Sequence, residues 1–213
     1  MDVQFIILAF TSLFSILNPF GVIPTYLVLT SQYSKVEKIK IIRKSMLAAF
    51  ALLMMFALLG NQIIGFFGIS IPAIKITGGV LLFLIALDMI QGNTSKVEKS
   101  PKLESHLKSH SEEIEDMDEI AIVPLTVPLL TGPGSISAVI AMMAQTSDFD
   151  GKLSVIIAIS LCIIISYFVL KFSKDLEKML GKIGFKVLTK MMGLVLTAIS
   201  IQMALDGILM VFG

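Results

Sequence analysis

Tryptophan is absent from the chain, and Tyr26, Tyr33 and Tyr167 are its only tyrosines. Aromatic anchoring at a membrane interface is therefore sparse. Cys162 is the single cysteine and lies in an apolar run, which excludes an intramolecular disulfide and leaves the redox compartment unread. Charged residues make up 15% of the chain, against about 25% in a soluble domain. No arginine falls within an apolar run, so no guanidinium fork is available there for a carboxylate or phosphate. Both histidines, His106 and His110, lie in the one long polar stretch. The apolar runs thus hold no Ser/His pair, and the chain has neither a His-Glu-x-x-His motif nor a Walker A loop. An intramembrane hydrolase and direct drive by ATP are both disfavoured, and no cofactor, metal or nucleic-acid partner is expected. The N-terminus carries Asp2 rather than a basic region, which argues against a cleaved signal peptide.

What is present is apolar length. Hydrophobic residues make up 55% of 213, and the mean hydropathy is +0.90. Six runs of the length needed to cross a bilayer core lie near residues 4–29, 45–67, 71–91, 120–144, 153–172 and 188–211. The spacing predicts an all-α membrane protein of six transmembrane helices, a single integral membrane domain over 1–213. Fifteen of the 17 Lys and Arg residues fall in three regions that six crossings put on one side. Lys35 to Lys44 follow the first run, Lys96 to Lys108 the third, and Lys171 to Lys190 separate the fifth from the sixth. Lys75 and Lys152 alone lie opposite. The positive-inside rule places loops 30–44, 92–118 and 173–187 in the cytoplasm and both termini outside the plasma membrane.

Two of the runs are interrupted. The first is broken by Asn18-Pro19-Phe20-Gly21-Val22-Ile23-Pro24, the fourth by Thr131-Gly132-Pro133-Gly134-Ser135. An offset of 113 lays Asn18 on Thr131, Gly21 on Gly134 and Gln32 on Gln145. An offset of 114 lays Gly79 on Gly193 and Asp88 on Gln202. Three crossings per half invert the second copy relative to the first. The expected organisation is a 3+3 inverted repeat with broken first and fourth helices: first repeat 1–91, cytoplasmic linker 92–118, second repeat 119–213. Paired breaks in repeated halves point to a transporter's binding site. They are tolerated only inside protein or beside water, because lipid cannot satisfy the freed backbone groups.

The break residues suit that role. Asn18 and Thr131 can each cap a restarting helix, and Pro19 fits the first helical position. Pro24 is placed to extend the irregular stretch. Gly21, Gly132 and Gly134 allow close backbone approach to a ligand. Two half-helix N-termini meeting from opposite faces would attract a carboxylate. Freed carbonyls, with Asn18, Thr131 and Ser135, would take an ammonium group. The substrate-binding candidates are therefore Asn18, Pro19, Gly21, Pro24, Thr131, Gly132, Pro133, Gly134 and Ser135, and the ligand they fit is a small zwitterion.

Other features admit two readings. Asp88 and its counterpart Gln202 are candidates for coupling to H+ or Na+, or are interfacial polar residues. Lys75 and Lys190 lie near helix starts and can snorkel; Asp206 is expected among headgroups or water. Gly79 and Gly193 suit close helix packing. His106 and His110, spaced as metal ligands on a helix, read better as part of a solvated linker.

Asn18-Pro19-Phe20-Gly21-Val22-Ile23-Pro24 resembles the N-P-x-G-x-x-P signature of the MarC family of bacterial and archaeal membrane proteins. Val127 to Ile136 is similar to that family's second signature, and the glycine-bearing third and sixth runs resemble its corresponding spans. The likeness covers nearly the whole chain; the linker 92–118, with its acids and histidines, departs from it. It implies kinship with LysE-type exporters, whose SnatA-like branch moves small neutral amino acids such as glycine and alanine. Other members are named for drug resistance, so family likeness does not fix the substrate. The reading is a secondary transporter of small neutral amino acids working by alternating access, not an enzyme, in a prokaryotic plasma membrane and compatible with a homo-oligomer. A channel, an exporter of other small solutes and a non-transporting scaffold are the alternatives.

Overall fold

The computed structural model describes residues 3–91, 130–146 and 148–212. They form seven helices: α1 (Val3–Leu17), α2 (Pro19–Leu29), α3 (Lys35–Phe66), α4 (Ile71–Gln91), α5 (Pro133–Gln145), α6 (Phe149–Lys171) and α7 (Ser173–Phe212). No strand occurs among the described residues. Five segments are long and apolar enough to cross a membrane: Val3–Leu29, which α1 and α2 share, α3, α4, α6 and Ile183–Phe212 of α7. The first part of the fourth expected crossing and the linker 92–118, with His106 and His110, lie outside the described residues.

Two regions expected to be loops are helical. Residues 35–44 begin α3, started by a capping box in which the Glu37 N–H donates to Ser34 Oγ and the Ser34 N–H to Glu37 Oε2. At 1.5 Å per residue its 32 residues span about 48 Å, beyond a hydrocarbon core of about 30 Å. The surplus is the basic first turns, which expose Lys35, Lys40, Arg43 and Lys44 on one side and pack through Ile41 and Ile42 on the other. Residues 173–180 likewise form a helix, which turns at Gly181 into the apolar length of α7. Gly181 has φ 63° and ψ 171°, a conformation that glycine adopts without steric cost.

Packing follows small residues. Antiparallel α4 and α7 lie along one another, and Gly79, Gly193 and Gly207 set the approach. A Cβ at Gly79 would sit 2.6 Å from the Ser200 carbonyl oxygen, and one at Gly207 would sit 2.9 Å from the Pro72 carbonyl oxygen. With lipid tails as apolar as leucine, close backbone contact of this kind is what holds membrane helices together. The larger core joins α1, α2, α3 and α6 around Leu13, Ile23, Ile41 and Ile159. A smaller cluster of Ile16, Leu82, Ala86, Met89, Ala138, Leu196 and Met203 joins α1, α4, α5 and α7. Leu58, Phe66, Leu84, Leu194 and Leu205 are exposed, as expected of side chains that meet lipid.

Candidate functional site

The first break is built on one residue. Asn18 adopts φ 43° and ψ 59°, the only positive φ of a non-glycine residue among those described. Asparagine is one of the few residue types that enter this region, because its side chain bonds locally. Its amide does so: Oδ1 accepts from the Gly21 N–H at 3.3 Å, capping α2. Nδ2 donates to Met89 Sδ of α4 at 3.2 Å. A thioether is a weak acceptor, so this donor has more to offer a better partner. Pro19 takes the first helical position as expected. Pro24 does not extend the irregular stretch: it lies inside α2, which runs unbroken to Leu29. The irregularity is confined to Asn18, since proline's fixed φ suits the helix that it has already entered.

The second break is made differently. Its N-cap is Gly132, in extended conformation at φ −63° and ψ 171°, with no side-chain cap bond. The expectation that Thr131 caps this helix is therefore corrected. A glycine N-cap exposes the backbone N–H groups without a competing side chain. Thr131 is fully buried instead, and Ser135 Oγ turns back to donate to the Leu130 carbonyl at 3.1 Å. Pro133 opens α5 from an exposed position, whereas Gly134 is buried.

Both breaks lean on one face of α4. A Cβ at Gly21 would meet Asn18 Nδ2 and Met89 Cε, and a Cβ at Gly134 would collide with Leu82. Gly134 thus makes room for Leu82. Leu82 and Met89 are two turns apart, about 10 Å along the helix. Between them the smaller apolar cluster fills the space.

A cavity of about 280 Å³ runs toward this place. On α1 its wall is the stripe Phe5, Ser12 and Ile16, which descends about 16 Å at helical rise, half of a bilayer core. It ends two residues before Asn18. On α5 it runs from Gln145 to Ala138, three residues past Ser135. None of the nine break residues lines it. Ile16, Ala138 and Met203 of its lining belong to the same cluster as Leu82 and Met89, which touch the breaks, and Ile199, the lining residue furthest along α7 from its outer end, packs against that cluster.

The two coupling candidates are not brought together. Asp88 is exposed on α4. Gln202, on α7, lines the cavity and donates from Nε2 to Asp206 Oδ1 at 2.7 Å. Sequence reasoning treated the cavity's charges, Lys75 and Asp206, one by one and did not pair them. Lys75 does not snorkel: it is 6% exposed, and its Nζ lies 4.0 Å from Asp206 Oδ2. Asp206 contacts this lysine and Gln202 rather than headgroups alone. Opposite charges on two glycine-packed helices were the signal available for this pair. No cluster of metal-ligating side chains occurs among the described residues.

Comparison with known proteins places this arrangement. Residues 3–212 match the family model described as MarC family integral membrane protein. The chain is 46% identical to the UPF0056 membrane protein MJ1677 of Methanocaldococcus jannaschii over 211 residues, 98% of each chain. It is 37% identical to a UPF0056 membrane protein of Aquifex aeolicus, covering 94% of this chain and 90% of that one. It is 32% identical to the UPF0056 membrane protein YvbG of Bacillus subtilis, covering 98% and 96%. No solved structure matches.

Proposed function

The chain belongs to the MarC family, integral multi-pass membrane proteins with relatives in bacteria and archaea, and from that premise we propose that it is a secondary transporter of small neutral amino acids such as glycine and alanine. The observation that carries this reading is the pair of buried helix breaks below the floor of a half-membrane cavity. A bilayer-spanning helix interrupted by mere kinking has no need of a path for water or solute above the kink.

The substrate carboxylate is taken by the N-termini of α2 and α5, each carrying roughly half a positive charge. Its ammonium group is taken by the Leu130 carbonyl, Ser135 and Thr131, and Asn18 Nδ2 exchanges the Met89 sulfur for a substrate oxygen. With no arginine in the apolar runs, binding is weak enough for release, as turnover requires.

Access alternates between two inverted halves, 1–91 and 119–213, driven by H+ or Na+. Helix packing supports this organisation. α4 packs on α5 and α7 on α2; α6 packs on α2 and α3 on α5; α4 pairs with α7 and α3 with α6. This exchange of partners is what a two-fold relation between halves requires. In the transport cycle, the cluster of Ile16, Leu82, Met89, Ala138 and Met203 opens to join cavity and breaks. The cavity faces outward with both termini, and the basic ends of α3 and α7 face the cytoplasm.

Substrate chemistry tests the reading. In proteoliposomes, excess unlabelled alanine is expected to suppress uptake of labelled alanine, while its amide and ethylamine compete at least ten-fold more weakly. Equal competition by the amine would remove the carboxylate from the recognition scheme.

A further inference from the structure

The cavity above the breaks carries formal charge, which the breaks do not. Lys75 projects into it from α4 and is more than nine-tenths buried. Its ammonium group opens into the cavity and has three N–H donors to satisfy. Among the described residues its one ion-pair partner is Asp206, at 4.0 Å, the outer limit of such a contact. The Asp206 side chain is 43% exposed and is steadied from its other oxygen by Gln202. Ser12 and Gln145 are polar residues on the α1 and α5 walls of the same cavity, above an apolar floor.

We propose that Lys75, Asp206 and Gln202 form an outer binding subsite for a zwitterion, occupied before the solute reaches the breaks. The proposal rests on the transporter reading for its substrate class. The Lys75 ammonium takes the solute carboxylate and the Asp206 carboxylate takes the solute ammonium, while Gln202 holds Asp206 in place. A solute bearing both charged groups on one carbon exchanges one loose ion pair for two closer contacts. A solute bearing one charge leaves the opposite member of the pair unmatched, and is bound more weakly for that reason. At about 280 Å³ the cavity lies at the lower edge of ligand pockets, which run from about 300 to 1,000 Å³. It suits a small amino acid, with the apolar residues Ile16, Ala138 and Ile199 deeper in its lining.

The test is alkylation of Ser12→Cys in the purified full-length protein, using a small hydrophilic thiol reagent. Cys162 is buried, so the parent supplies the background. Alanine is expected to slow alkylation at Ser12→Cys at least five-fold, whereas ethylamine and propionate at the same concentration do not. The protection is expected to vanish in the added backgrounds Lys75→Met and Asp206→Asn, and to return in part when Lys75→Asp and Asp206→Lys are combined. Absence of protection in Ser12→Cys, its survival in Lys75→Met, or equal protection by propionate would each overturn the subsite. If Lys75→Met fails to fold, Asp206→Asn, which keeps the side-chain shape, decides the matter. Counterflow in the same preparations separates the two claims. Transport of alanine with protection indifferent to Lys75 removes the subsite and leaves the transporter. Protection that depends on Lys75 without any transport leaves the subsite and removes the transporter.

Discussion

Gly134→Ala is the substitution whose effect the structure specifies most closely. The added Cβ would meet Cγ, Cδ1 and Cδ2 of Leu82, all closer than real Cβ contacts allow. Leu82 is buried, packed in the cluster with Ala86, Met89 and Ala138, so it cannot swing aside freely. Overpacking of this kind costs about 1–3 kcal/mol. Gly134 is the second residue of α5, so alanine's helix-interior advantage of up to about 1 kcal/mol is only partly realised, leaving a net loss of up to about 3 kcal/mol. Leu82→Ala alone opens a cavity and costs about 2–5 kcal/mol. In the double variant the new methyl occupies part of that cavity, so the two losses do not add, and a coupling of about 1–3 kcal/mol in the favourable direction is expected. Cys162 provides the assay: it is buried and becomes reactive to a fluorogenic maleimide only as the protein unfolds. Melting curves of the parent, both single variants and the double variant complete the cycle. Strict additivity, or a Gly134→Ala as stable as the parent, would refute the contact on which the placement of the second break depends.

The other expectations follow from the same geometry. Asn18→Gly relieves the left-handed φ and costs only a few tenths of a kcal/mol as a cap, whereas Asn18→Ala loses the cap and strains the backbone, about 1.5–4 kcal/mol together; equal melting temperatures would show that Asn18 is not the cap. In Asn18→Gly, alanine is expected to stabilise the protein less than it does the parent, because the Nδ2 donor is gone; undiminished stabilisation would remove Asn18 from the site. Gly181→Ala is expected to lower stability by about 1–3 kcal/mol, because φ 63° with ψ 171° lies in a region that is essentially glycine's alone, read by the same maleimide assay. A cysteine added after Gly213 is expected to react with an impermeant reagent outside intact cells and one at Ser105 not to react; the reverse pattern would invert the orientation.

The helix breaks were legible because proline, glycine and asparagine carry their backbone preferences with them wherever they fall. The run 71–91 coincides with α4 (Ile71–Gln91) because apolar length and helix length are there the same thing. Where they differ, hydropathy misled. Residues 35–44 carry five cations yet are helical, since Ser34 and Glu37 cap a helix whose first turns already pack through Ile41 and Ile42. Residues 173–180, ahead of Gly181, are likewise helical. That Gly132 rather than Thr131 is the N-cap of α5 was not legible, because it accompanies burial of the threonine in the fold. Lys75 was misread because snorkelling depends on where water lies, and the α4–α7 pairing that buries it comes from glycines scattered over both helices. The glycine at 134 announced a close approach correctly, but only packing reveals that Leu82 makes it.

Counterflow tests the central claim most directly. Purified protein is reconstituted into vesicles loaded with unlabelled alanine and diluted into trace labelled alanine. A transporter with one site alternately exposed predicts transient accumulation of label above the outside concentration, saturating with alanine and abolished by excess glycine. Label that enters only to equilibrium, in linear proportion to its concentration and whether or not the vesicles are preloaded, would mark a channel. Vesicles indistinguishable from protein-free controls would contradict transport of small neutral amino acids altogether.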